Sequence, residues 1–266
     1  MIEEFSGTDD ALREFIAVVS YFMPRTLAFV WFFPILSKGE GSNIIKLCVA
    51  AVLVLFPAFA TSMQFGTSLV TPGSAVFTFI SEVLLGTLMG LTIALPYFAF
   101  KAFGALIDVY RGATFAAQVT GNDSGEELPL ETLFGYMFAA LIFAGPGFQA
   151  ISQHLLNSYL IMPPGSLQMV ALNDWIFSLM AMVADHIVFA VVLSAPVLIA
   201  ILVVEMALEI LASFTPQLQM YNLQFGFRSL FGIAGLLLVF HYTEDNIINL
   251  FQDYNTTLSR LLETKP

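Results

Sequence analysis

From Trp175 to Ser213 the chain is almost entirely apolar. As one helix, at 1.5 Å per residue, this run would be roughly 58 Å long, nearly twice the ~30 Å hydrocarbon core of a bilayer. A helix apolar on every side belongs either in a large protein core or in lipid. Pro196, which removes a backbone donor and crowds the preceding turn, is the expected break. Asp185-His186 and the acids Glu205 and Glu209 place ionisable groups along the run. Glu205 and Glu209 stand one turn apart on one face, so they repel unless a cation meets them or one is protonated.

Composition settles which of the two homes applies. Hydrophobic residues make up 58% of the 266, charged residues only 11%, and phenylalanine occurs 27 times. A soluble domain of this length would carry far more charge on its surface, so the chain is a polytopic membrane protein. Twenty acids against nine bases give a net charge of −11, which excludes the broad basic face needed for nucleic acid or an anionic surface. The single cysteine, Cys48, makes no intrachain disulfide and no metal-type cysteine spacing exists. No cofactor is expected, and no enzyme motif occurs: there is no HExxH, no GxGD, and no nucleophile and base that spacing identifies.

The apolar segments before this run are irregular. The acidic start, with Asp9 or Asp10 as a helix cap, leads into an apolar run from Phe15 to Phe33 with Pro24 and Arg25 inside it. Arg25 either faces a polar interior or lies near the interface with its head in water. Leu47 to Phe59, closed by Pro57, is too short to span alone and must borrow length from residues 43–46, tilt within protein, or fail to cross. Ala75 to Phe100 is long enough, but it holds Glu82, Pro96, and a Gly86/Gly90 pair whose spacing suits close approach of another helix. Glu82 in this setting needs a polar partner. Leu133 to Ala144 and Phe148 to Leu160 are two short runs broken by Gly145-Pro146-Gly147, the pattern of a hairpin or broken helix. His154 in the second reads as a hydrogen-bonded interface histidine, since no second ligand stands a turn away. Asn173 or Asp174 is the expected cap of the long run.

Two polar stretches interrupt the apolar pattern. In KAFGALIDVYRGATFAAQVTGNDSGEELPLE, Asp108 and Arg111 lie three apart on one helix face and form a structural ion pair, after which the chain dissolves into a glycine-bracketed loop. In SFTPQLQMYNLQFGFRSLFGIAG, between two apolar runs, Pro216, Gln217, Gln219, Asn222, Gln224, Gly226 and Arg228 form a polar segment that lipid would not tolerate bare. With Glu205 and Glu209 this segment reads as a hairpin tip at about residues 213–229 that lines a lumen or joins subunits. A proton-coupled secondary transporter is the competing reading, with Glu82, Asp185, His186 and Glu205 as a relay. No internal repeat between the two halves supports it.

The run IDVYRGATFAAQV and the SFTPQLQMYNLQFGFRSLFGIAGL segment carry a resemblance to the type III secretion export-apparatus family SctT, homologous to the flagellar protein FliR. The resemblance covers nearly the whole chain. The Asp-x-x-Arg-Gly-Ala run at 108–113 looks like the injectisome branch rather than the flagellar one. The chain departs from the family's Pro-Gln-Leu-Asn and Gly-x-Pro-x-Lys pattern at Gln219 and at Phe227-Arg228. The resemblance implies an all-α polytopic membrane protein of helical hairpins and broken helices, one domain over residues 1–266, assembling into a helical export gate. It implies SctR-like and SctS-like gate subunits, an SctU-like switch protein and unfolded secreted substrates as partners. It places the chain in the bacterial inner membrane, projecting toward the periplasm within the secretion basal body. The loop at about 112–130 resembles the family's plug, with Gly112, Ala113, Thr114, Ala117, Gly121, Asn122 and Gly125 as its gating residues. A polar tail follows at about 243–266.

Overall fold

The computed structural model describes residues 2–37, 42–65, 75–114, 128–164, 169–214 and 224–239. Among these residues the fold is helical with no strand. The helices are α1 (Ile2–Trp31), α2 (Ser42–Phe65), α3 (Ala75–Tyr110), α4 (Pro129–Ala144), α5 (Gly147–Ile161), α6 (Met169–Phe214) and α7 (Gln224–Val239), with a short 3-10 turn at Pro34–Ser37. Val76–Tyr110 and Trp175–Phe214 are long and apolar enough to cross a membrane, and the broken pair α4 and α5 adds a third if counted as one span. The chain is therefore a helical membrane protein.

Each of the four longest helices carries one internal proline, Pro24, Pro57, Pro96 and Pro196. Pro57 and Pro196, expected to end their segments, do neither: α2 continues to Phe65, having begun at Ser42, and α6 runs unbroken over 46 residues. A proline costs an interior helix about 3 kcal/mol and one hydrogen bond. Abandoning the helix on either side would strand many backbone groups where no water can satisfy them, so the helix tolerates the proline. Residues 9–10 and 173–174 likewise lie inside α1 and α6 rather than capping them. For α1, acids concentrated in the first turns suit the positive end of the helix dipole and favour an earlier start. Gly145-Pro146 separates α4 from α5 as the turn chemistry requires.

Contacts group the chain into two compact units. The first takes its described residues from 1–95 and 142–182. In it α1 packs along α2, which also touches α5, and Phe22, Phe29, Phe33, Val54 and Leu155 are buried. Gly86 and Gly90 of α3 press directly on α1: a Cβ on Gly86 would lie 2.2 Å from the Arg25 carbonyl oxygen, and one on Gly90 would lie 2.8 Å from that of Phe29. Because residues 86 and 90 meet residues 25 and 29 in that order, α1 and α3 run in the same direction along this seam.

The second unit takes its described residues from 96–141 and 183–239. An aromatic cluster forms its centre, with Phe103 against Phe134 at 4.7 Å between ring centroids and Phe100 against Phe138 at 5.2 Å. Gly104 lets the start of α4 approach, its absent side chain leaving Leu130 O 2.6 Å from where a Cβ would stand. On α6, Ala190, Ser194, Val197 and Ile201 form a buried stripe, while Ile187, Val188, Val191, Val192, Ile199 and Val203 on the same helix are exposed. So much exposed apolar surface on one helix needs lipid or protein to cover it.

Candidate functional site

The first polar centre lies wholly in the first unit. Arg25 and Glu82 are each 1% exposed, and the guanidinium grips the carboxylate with two parallel bonds, Nε to Oε2 at 2.7 Å and Nη2 to Oε1 at 3.0 Å. Nη2 also donates to the Met162 carbonyl at 2.9 Å, and Nη1 donates to the Ser158 carbonyl at 3.1 Å and to its hydroxyl at 3.2 Å. A guanidinium has five N–H groups, and here all five are used. Its plane lies over the Tyr159 ring, 4.4 Å from the centroid. The Tyr159 hydroxyl donates to the Phe22 carbonyl at 2.8 Å, which leaves the Thr26 hydroxyl to donate to Tyr159 at 2.7 Å. The result ties α1, α3 and the C-terminal turn of α5 together, and a cation at that turn also meets the negative end of the α5 dipole.

This centre answers the question the sequence left open at Arg25, which faces inward. Glu82 has the polar partner its position requires. The signal for it was two lone ionisable residues of opposite sign inside two long apolar segments, although nothing in their spacing names them as partners.

The second polar centre lies wholly in the second unit. The Asp108 carboxylate, fully buried, accepts from Arg111 Nε at 2.6 Å through Oδ1. Through Oδ2 it accepts from the backbone N–H groups of Leu130 at 2.6 Å and Glu131 at 3.2 Å. Those N–H groups belong to the first turn of α4 and have no partner within their own helix, so Asp108 caps α4 from the end of α3. Arg111 Nη1 donates to the Ser229 hydroxyl of α7 at 3.1 Å, and Lys101 Nζ pairs with Glu131 at 3.0 Å. Two residues past the end of α3 stands Gly112, whose φ of +84° is the left-handed conformation glycine adopts without strain. The Phe225 ring fills the place where a side chain would stand. Ala113 and Thr114 are half-buried, whereas Ala117, Gly121, Asn122 and Gly125 lie outside the described residues.

Of the hairpin residues, Arg228 pairs with Glu205 and lies over the Phe225 ring, 5.9 Å from its centroid. The buried Arg228 Nε has no hydrogen-bond partner among the described residues. Gln224 is half-buried and Gly226 and Glu209 are exposed, while Pro216, Gln217, Gln219 and Asn222 lie outside the described residues. Asp185 is exposed on α6 and His186 half-buried. Among the described residues no three His, Cys, Asp or Glu side chains come together to hold a metal ion.

The family model for bacterial export proteins, family 1, matches residues 16–254. The Yop proteins translocation protein T of Yersinia pestis is 25% identical over 235 residues, covering 87% of this chain and 88% of that protein. The surface presentation of antigens protein SpaR of Shigella flexneri is 24% identical over 230 residues, covering 86% and 88%. The flagellar biosynthetic protein FliR of Escherichia coli strain K12 is a weaker match, 24% identical over 251 residues, covering 92% and 94%.

Proposed function

The chain belongs to the bacterial export proteins, family 1, and from that premise we infer that it is a subunit of the type III secretion export apparatus. The observation that carries the reading is the family match across nearly the whole chain, joined to injectisome relatives that match more strongly than the flagellar one. The transporter reading gives way to this: the relatives are secretion-apparatus proteins, and Glu82, which that reading placed in a relay, is bound to Arg25. Relatives of this kind are structural components, which supports a role without catalysis.

In this reading the chain lies in the bacterial inner membrane, packs with SctR-like, SctS-like and SctU-like subunits, and forms part of the conduit for unfolded secreted proteins. Its exposed apolar helix faces support such packing, since neighbouring chains would cover them. Coexpression tests the reading directly. The chain is expected to be recovered stably only with its gate partners, and a stable, transport-active monomer in liposomes would overturn the assignment.

Two residue-level roles belong to the same proposal. The loop at 112–130 acts as the plug, rooted at Asp108, Gly112 and the capped start of α4. Removing residues 121–125 should raise ion leakage through the assembled gate at unchanged complex yield, and wild-type leakage would count against a plug. The Glu205–Arg228 pair supports an assembly role for the hairpin. Arg228→Glu sets two acids against each other where a pair stood, so recovery of the assembled complex should fall severalfold while the chain still inserts in the membrane. Normal yield from that variant contradicts the role.

A further inference from the structure

We propose that the seam between α1 and α3 is a phospholipid site, with an acyl chain in the groove and the lipid phosphate on Lys46. The groove has a volume of about 460 Å³, within the roughly 300–1,000 Å³ of small-ligand sites. Met23, Leu27 and Trp31 of α1 face Phe79, Val83 and Thr87 of α3 across it. On α1 the lining recurs at steps of three and four residues from Ser20 to Trp31, so the groove follows one helix face for about three turns, roughly 16 Å. It exists because Gly86 and Gly90 draw the two helices together on one side and Pro24, on the groove face, carries only a small ring. Its walls are almost wholly apolar, and the Trp31 side chain at its end is 52% exposed.

Beside Trp31, the residue at the end of the groove, stands the second observation, a buried cation with no acid paired to it among the described residues. Lys46 is 7% exposed, and its ammonium donates to the Trp31 backbone carbonyl at 3.2 Å and lies 5.1 Å from the centre of the Trp31 ring. No carboxylate pairs with it among the described residues. An ammonium carries three donors, and one carbonyl takes one of them. Burying an unneutralised cation is costly, and an anion reaching it would recover that cost. Tryptophan at the end of one apolar helix, α1, and lysine near the start of the next, α2, mark the headgroup level of a bilayer. A phospholipid satisfies both features at once: the chain covers the apolar walls, and the phosphate meets the two remaining donors. The chain's net charge of −11 rules out a broad basic face but leaves a single lysine free to hold one phosphate.

The chain has two tryptophans, Trp31 and Trp175, so in the export assembly reconstituted in vesicles the quenching lost between Trp175→Phe and the double variant Trp31→Phe, Trp175→Phe reports Trp31. Phosphatidylglycerol brominated on its acyl chains is expected to quench Trp31 with about fivefold stronger apparent binding than brominated diacylglycerol, the factor one lysine supplies near a headgroup. Lys46→Gln should erase that difference, and Thr87→Phe, which fills the groove, should weaken quenching by both lipids. Native mass spectrometry of the purified export assembly provides a second reading, with one retained phospholipid lost in the Thr87→Phe variant. Equal quenching by the two lipids regardless of residue 46 would mean ordinary bilayer contact and overturn the site. Absence of quenching by either would mean that protein covers the groove, and would overturn it equally.

Discussion

Glu82→Ala is expected to be among the most damaging single substitutions in the chain, because it removes the counter-charge of an arginine that is 1% exposed and has nowhere to go. Breaking a buried pair from one side typically costs about 3–5 kcal/mol, a large fraction of the roughly 5–15 kcal/mol that holds a domain folded. Arg25 cannot swing to water without tearing its bonds to Ser158 and Met162 and leaving the Tyr159 ring. Severe loss of recovered protein should follow, with a matching drop in the thermal midpoint of whatever assembles. The informative companion is the double variant Arg25→Met, Glu82→Leu. Replacing both charges by apolar groups of similar volume is often neutral or better. The Ser158 carbonyl still accepts from the Met162 N–H after Arg25 is gone, so the double variant orphans little. It should therefore recover much of what Glu82→Ala loses. A double variant as poor as the single would mean that the pair is needed for more than neutralising itself.

How far such a joint can be read from sequence differs between its parts. The cost of Arg25 and Glu82 at membrane depth is visible residue by residue, since each is a lone charge in an apolar segment. Their partnership is not, because they stand 57 positions apart on separate helices and no period links them. The Gly86/Gly90 spacing announces a close contact but not its partner, which the fold supplies as α1. In the second unit Asp108 and Arg111 are one helical turn apart, so any helix brings them to one face. That the same carboxylate caps α4, 22 residues on, depends on how α3 and α4 meet. The prolines misled for an energetic reason. Rules for proline as a helix breaker describe chains whose freed backbone can turn to water, whereas around Pro57 and Pro196 the helix itself remains the best available partner. Membership in the export family was legible because it is written in contiguous motifs, while the geometry of the polar centres is written across the fold.

Gly86→Ala is the second severe change, and the physics is steric. The new Cβ would stand 2.2 Å from the Arg25 carbonyl oxygen and 2.9 Å from the Ala28 Cβ, so helix backbone rather than a flexible side chain would have to yield. Overpacking in a well-filled interior costs typically 1–3 kcal/mol, and here relief requires α1 and α3 to separate along the seam. Separation also lengthens the bonds from Arg25 to Glu82, so the methyl group attacks the ion pair indirectly. Gly235→Ala is the fitting control, because its Cβ would meet Val197 at an ordinary 3.5 Å and alanine is the better helix former by about 1 kcal/mol. The control should therefore match or exceed wild type in thermal midpoint while Gly86→Ala falls well below it. If Gly86 acts through the ion pair, its effect should depend on residue 82. In the background of Arg25→Met, Glu82→Leu, where no pair remains to be stretched, Gly86→Ala should cost measurably less than in wild type, a coupling of the 0.5–3 kcal/mol order seen between residues in contact. Equal cost in both backgrounds would mean that the seam and the ion pair stabilise the unit independently, and that close packing alone holds α1 against α3.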